Sequence, residues 1–153
     1  MDRAGRIERY RSAMADLDDA LAGVTDAELD AAQPAGEWTA RQIVHHLADS
    51  ETMSFTRLRR LVAEDEPMIQ GYDEPLFARR LHYERPIATS LAVVGAVRAS
   101  SLDLMAAMTP ADWAKSGTHS EMGGAYTVER WLEIYAEHVH EHADQIRRAR
   151  ARS

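Results

Sequence analysis

Cysteine is absent from the chain. That removes disulfides, thiolate metal sites and a cysteine nucleophile from consideration. Lysine occurs once, at Lys115, against seventeen arginines, and phenylalanine only twice. The balance over 153 residues is acidic, with a formal net charge of −7 and a pI near 5.5. Such a charge counts against binding that works by neutralising phosphates or anionic lipid heads. No uninterrupted apolar run approaches the roughly 18 residues of a membrane span. The opening MDRAGRIERY is charged where a signal peptide would be apolar. The expectation is one cytoplasmic domain over residues 1–153, with no nucleic-acid or membrane partner.

What is present is helical periodicity. Four segments carry apolar stripes at spacings of three and four. The first holds Ile7, Tyr10, Met14, Leu17, Leu21 and Val24; the second Ile43, His46, Leu47, Ser50, Ser54, Leu58 and Leu61. The third holds Ile87, Leu91, Val94, Leu102, Met105 and Met108, interrupted by Arg98. The fourth holds Val128, Trp131, Leu132, Tyr135, His138, Val139, His142 and Ile146. No stretch alternates with period two over a strand's length, so the chain reads as an all-α four-helix bundle. Thr39 to Gln42 forms a capping box, and Thr127 can cap the fourth helix. Thr25 and Thr109 open short helical turns, the second with Pro110 at the favoured first position. The Glu64–Pro86 stretch, with Pro67, Gly71 and Pro75, reads as a long crossover holding a short helix over Leu76–Glu84. Thr25 and Gly36-Glu37-Trp38-Thr39 recur as Thr109 and Gly124-Ala125-Tyr126-Thr127, at offsets of 84 and 88 residues. A repeat of two helical hairpins related in this way favours up-down-down-up order.

Among seven histidines, three lie on apolar stripes. His138 and His142, four apart, stack on one helix face about 6 Å apart along the axis. His46 shares a face with Ile43, Leu47 and Ser50. Three imidazoles so placed can converge on one ion at about 2.1 Å from each nitrogen; each alone reads equally as a hydrogen-bonded core residue. His46 lies about 11 Å from the start of its helix and the His138–His142 midpoint about 15 Å from the end of the fourth. Antiparallel second and fourth helices therefore bring the rings to similar depth. His45 and His140 are rotated away by about 100° and 200° and are expected at the surface or rim. His119 reads as an ordinary loop histidine. Two rival motifs are set aside. The H-x-x-E-H string over His138–His142 calls for a further downstream ligand. A ferritin-like di-iron site needs two E-x-x-H pairs, and only Glu137–His140 fits.

The run Gly36-Glu37-Trp38-Thr39-Ala40-Arg41-Gln42-Ile43-Val44-His45-His46-Leu47-Ala48-Asp49-Ser50, with Tyr135 to Ile146 far downstream, resembles the DinB/YfiT-like family of bacterial proteins. The likeness takes in the Pro67…Tyr72-Asp73-Glu74 crossover and the His119…Gly123 loop. The chain departs from it at Glu141, where close YfiT-like relatives often carry another histidine. The resemblance implies a four-helix bundle with one divalent ion held by His46, His138 and His142, and homodimers paired through helix faces. Family members move low-molecular-weight thiols such as bacillithiol or mycothiol onto small electrophiles. The expected activity is therefore that of a thiol transferase, or of a hydrolase if water takes the thiol's place. The alternative is a non-enzymatic bundle whose ion is structural. A histidine-only site accepts zinc, nickel, copper or iron, and zinc or nickel is the expected ion. Asp49 and Gln145, each three residues after a ligand histidine, are candidates to hold the imidazoles in the correct tautomer. Trp38 and Tyr135 are expected to line the pocket. Val93, Val97 and Leu104 form a second apolar edge suited to a partner copy.

Overall fold

The computed structural model describes residues 1–152. Four long helices dominate: α1 (Arg3–Leu21), α3 (Ala40–Ala63), α5 (Ala88–Ala107) and α7 (Val128–Arg150). Short helices α2 (Asp26–Leu29), α4 (Glu74–Arg80) and α6 (Pro110–Trp113) punctuate the connections. Every start but that of α5, which follows Ile87 with no side-chain cap, has a side chain that satisfies otherwise free backbone N–H groups. The Thr25, Thr39 and Thr109 oxygens accept from the third residue on, and Glu28, Gln42 and Asp112 reach back, closing three capping boxes. Thr127 caps α7 by accepting from the Arg130 N–H at 3.0 Å. The short helix of the crossover begins at Glu74 and ends at Arg80, earlier than Leu76–Glu84, because Asp73 caps it and Pro75 stands in its first turn.

Contacts between the helices fix their directions. Arg3 meets Glu129, Arg9 meets Glu137, and Arg147 meets Asp16 and Asp19. Numbers rise together, so α1 and α7 are parallel. His45 bonds Ser90 and Glu51 bonds Arg98, which makes α3 and α5 parallel as well. Ser50 faces His138 while Trp131 donates to the Ser54 carbonyl, so α3 and α7 run antiparallel. The order is up-down-down-up. Close packing joins α1 to α7, α7 to α3, α3 to α5 and α5 to α1. Chain-consecutive α1 and α3 therefore lie across the bundle from one another, not side by side as a hairpin would. The two matching connections, α2 and α6 with Gly36 and Gly124 at positive φ, span that diagonal.

Two apolar clusters fill the bundle. One gathers Leu17, Ile43, Leu47, Val94, Val139 and Ile146; the other Tyr10, Leu58, Met105, Trp131, Leu132 and Tyr135. Between them in sequence on α3, α5 and α7 fall Glu51, Arg98 and His138, which meet as a buried polar layer.

Periodicity shows no sign of one element, a three-stranded sheet in the order β1 (Met68–Ile69), β2 (Ser116–His119), β3 (Met122–Thr127). β1 pairs parallel with β2 and β3 antiparallel to it. These strands are too short to show alternation, and pairing distant in sequence, not local propensity, creates them. Gly117 is required where they meet, since a Cβ there would lie 2.2 Å from the Pro67 carbonyl oxygen. The sheet draws the crossover and the hairpin before α7 over the seam between α3 and α7.

By length and composition α5 is apolar enough to cross a membrane, alone among the described helices. Its apolar runs are broken by Gly95, Arg98 and serines, which is why run length did not expose it. Arg98 is bonded inside the bundle. Of the apolar edge expected on this helix, Val93 is exposed while Val97 and Leu104 are half-buried.

Candidate metal centre

The antiparallel seam brings His46 of α3 against His138 and His142 of α7. Ring centroids lie 4.7 Å apart for His46–His142, 4.8 Å for His138–His142 and 5.7 Å for His46–His138. One nitrogen from each ring lies within 4.8 Å of the others. A point therefore exists within about 2.8 Å of all three, and sub-ångström ring movements reach the 2.0–2.1 Å of a metal–imidazole bond.

The hydrogen bonds around the rings also suit a cation. His138 Nδ1 bonds Glu51 Oε1 at 3.0 Å and His142 Nδ1 bonds Gln145 Oε1 at 2.9 Å. Both partners are acceptors, so each ring carries its proton on Nδ1 and keeps a lone pair on Nε2, which in His138 the Ser50 hydroxyl approaches at 3.4 Å. Neither nitrogen of His46 has a hydrogen-bond partner among the described residues, and its Nδ1 is buried. A buried imidazole with no partner is unfavourable unless something else meets its lone pair. Trp38 packs against this ring at a tilt of 47°, with centroids 4.6 Å apart, and limits its rotation. Burial, then the neighbouring imidazoles, push His46 down to about 3; burial, then His138, pushes His142 down to about 4. His46 and His142 are therefore neutral at physiological pH, the form that ligates.

Glu51 and Arg98 are the residues that sequence reasoning missed. Their side chains are 0% and 1% exposed. Arg98 Nη1 donates to Glu51 Oε2 at 2.9 Å, and Nη2 to the Tyr10 carbonyl at 2.6 Å. Its guanidinium also lies 3.5 Å over the Tyr10 ring. The carboxylate thus faces two donors, one per oxygen, and these partners hold its pKa below the usual range although burial opposes them. The signal was present in the sequence. Glu51 stands in one heptad column with Val44 and Leu58, and Arg98 in one with Leu91 and Met105. A lone acid and a lone base, each inside an apolar column of a different helix, are expected to find one another.

Other expectations are corrected. Asp49 does not touch His46; it accepts from the Tyr83 hydroxyl at 2.5 Å, because position 49 points toward the crossover. His45 and His140 are buried, 1% and 5% exposed, instead of facing solvent. His45 bonds Ser90 and the Arg85 carbonyl; His140 bonds Asp16 and the Arg9 carbonyl. The expectation assumed one buried stripe per helix, whereas α3 and α7 each pack against two neighbours and bury a wider arc.

A cavity of about 210 Å³ opens beside His138, walled by α3, α7 and the sheet. Ser50, Arg57, Tyr72, His119, Tyr126 and Tyr135 contribute to its lining. Tyr135 lines it, and His119, at the end of β2, belongs to its wall; Trp38, also expected there, is not in the lining and packs against His46 instead.

Residues 9–146 match the DinB superfamily. A protein of Oceanobacillus iheyensis named for an inferred metal-dependent hydrolase activity is 32% identical over 130 residues, 85% of this chain and 75% of its own. YfiT of Bacillus subtilis, named in the same terms, is 31% identical over 133 residues, 86% of this chain and 75% of its own. The solved structure of that YfiT, described as an unusual four-helix bundle topology, superposes with a TM-score of 0.90 at 28% identity, covering 99% of this chain and 89% of that one. The up-down-down-up bundle, the histidine cluster on its antiparallel seam and these likenesses converge: the chain belongs to the DinB superfamily.

Proposed function

We propose that the protein is a metal-dependent enzyme in which His46, His138 and His142 hold one divalent ion, zinc or nickel, for reaction on a small electrophile. The carrying observation is the convergence of three imidazole nitrogens within 4.8 Å beside a cavity. A bound ion would supply Lewis acidity, lowering the pKa of a water or low-molecular-weight thiol and polarising the electrophile. Water makes the protein a hydrolase, the activity for which its relatives are named; a thiol makes it a transferase. The chain's own residues do the rest. Glu51 and Gln145 fix the tautomers of His138 and His142, and Trp38 limits the rotation of His46. Ser50 Oγ, 3.4 Å from His138 Nε2, presents a hydroxyl at the inner end of the cavity. The cavity favours this reading over a purely structural ion, since a closed site needs no space beside its ligands.

Elemental analysis of protein purified without an affinity tag tests the reading. About one ion per chain is expected. His138→Ala should lose it while keeping the helical circular dichroism; unchanged metal content in that variant would refute the assignment. Turnover of activated esters and alkylating electrophiles, with and without added thiols, then separates hydrolysis from thiol transfer.

A further inference from the structure

The cavity beside His138 contains a cation that the metal site does not use. Arg57 lies on α3 two turns beyond Ser50 and lines the same cavity. Side chains on a helix lean toward its N-terminus, so Arg57 leans back toward the histidines. Nη1 donates to the Tyr135 hydroxyl at 2.8 Å and Nη2 to the Gln70 carbonyl at 3.1 Å. The Tyr126 hydroxyl also lies against this guanidinium, and these contacts leave part of its five N–H groups to spare. No carboxylate lies within ion-pairing distance of Arg57 among the described residues, whereas Arg41, Arg60, Arg98 and Arg147 each have one. Across the cavity the Tyr72 hydroxyl is buried beside Ser50 but outside hydrogen-bonding geometry. A half-buried guanidinium without a counter-charge and a buried hydroxyl without a partner thus face one space. Glu74 and Glu121 also reach this cavity, but they are exposed at its mouth, where water screens them.

The geometry points to a small organic carboxylate as the substrate class: Arg57 takes the carboxylate, Tyr72 donates to the same molecule, and its reacting end lies at the histidines. The proposal rests on the metal-site reading for the identity of that reacting end. A planar guanidinium with N–H groups to spare matches a carboxylate through two parallel hydrogen bonds. Seven residues of helix separate Ser50 from Arg57 along the axis by about 10 Å, and the backward lean of the arginine shortens the gap. A volume of about 210 Å³ suits a molecule smaller than a typical drug.

Isothermal titration calorimetry with 3-mercaptopropionate and its uncharged analogue 3-mercaptopropanamide tests this on cobalt-loaded protein. The wild type should bind the carboxylate at least about ten-fold more tightly, the scale of one charge-assisted contact. In Arg57→Gln the two Kd values should fall within about two-fold of each other, with amide affinity and metal content unchanged. Arg57→Lys, which keeps the charge but not the fork, should retain part of the preference. Equal affinities in the wild type would overturn the proposal whether or not a variant folds, as would a preference that survives in Arg57→Gln. Failure of the metal reading shows separately, as cobalt that does not load or loads equally into His138→Ala. In that case propionate and propanamide titrated into metal-free protein decide the anion site by the same criterion.

Discussion

Replacing Glu51 by glutamine removes one charge and almost no volume, yet it should damage the protein in two separable ways. Both carboxylate oxygens are acceptors, and each faces a donor: Arg98 at 2.9 Å and His138 Nδ1 at 3.0 Å. An amide has only one acceptor. If its oxygen faces Arg98, its NH₂ group meets His138 Nδ1 and forces the proton onto Nε2, the nitrogen required as ligand. If its oxygen faces His138, the guanidinium keeps only its carbonyl bonds and its place over Tyr10. Leaving a 1%-exposed guanidinium without its counter-charge costs about 3–5 kcal/mol, a fall in Tm on the order of 10 °C for a chain of this size. Loss of the carboxylate behind His138, a ligand in the proposed site, should weaken metal binding by about 10–100-fold. Adding Arg98→Met removes the competing donor and frees the amide oxygen for His138. The double variant should therefore be more stable than Glu51→Gln by about 2 kcal/mol or more, and should bind metal more tightly than it does. Urea unfolding followed by circular dichroism and competition with a chelating dye measure the two effects. Metal affinity unchanged in Glu51→Gln, or strictly additive effects in the double variant, would refute the reasoning.

The metal-free protein should lose stability as pH falls through the range where free histidine titrates. His46 and His142 are held near 3 and 4 when folded, against 6.5 unfolded. Below pH 6.5 the unfolded chain therefore binds more protons than the folded one. Stability from these rings is complete above that pH and declines with a combined slope approaching about 2.7 kcal/mol per unit near pH 5. Urea midpoints between pH 7.5 and 5 check this window, which lies above the usual carboxylate range; a flat profile would contradict it. Asp49→Asn should leave metal content and affinity unchanged while weakening the bond to Tyr83, at about 1 kcal/mol of stability. Loss of metal in that variant would place Asp49 at the site after all.

How far the sequence reads into the site depends on which contacts are local. The pairing of His138 with His142, and of His142 with Gln145, follows from helical spacing alone and stands in the structure. His46 joined them because depth arithmetic and antiparallel direction agree, and the Ser50–His138 and Ser54–Trp131 contacts show α3 and α7 to be antiparallel. Asp49 failed by the same spacing rule. Three residues after a histidine fixes a shared helix face but not whether the side chain turns inward or, as here, toward Tyr83.

The sequence by itself determined the four long helices, the threonine caps of α3 and α7 and the face carrying the histidines, because each depends on a period of 3.6 residues or on neighbours three positions away. Only the tertiary structure decided that α3 and α7 bury two flanks, enclosing His45 and His140, and that Glu51 meets Arg98 and His138. It alone produced the sheet that carries Tyr72 and His119 to the cavity shared with Arg57. Those contacts join residues tens of positions apart, and their partners are set by how helices and strands pack, which no local pattern records.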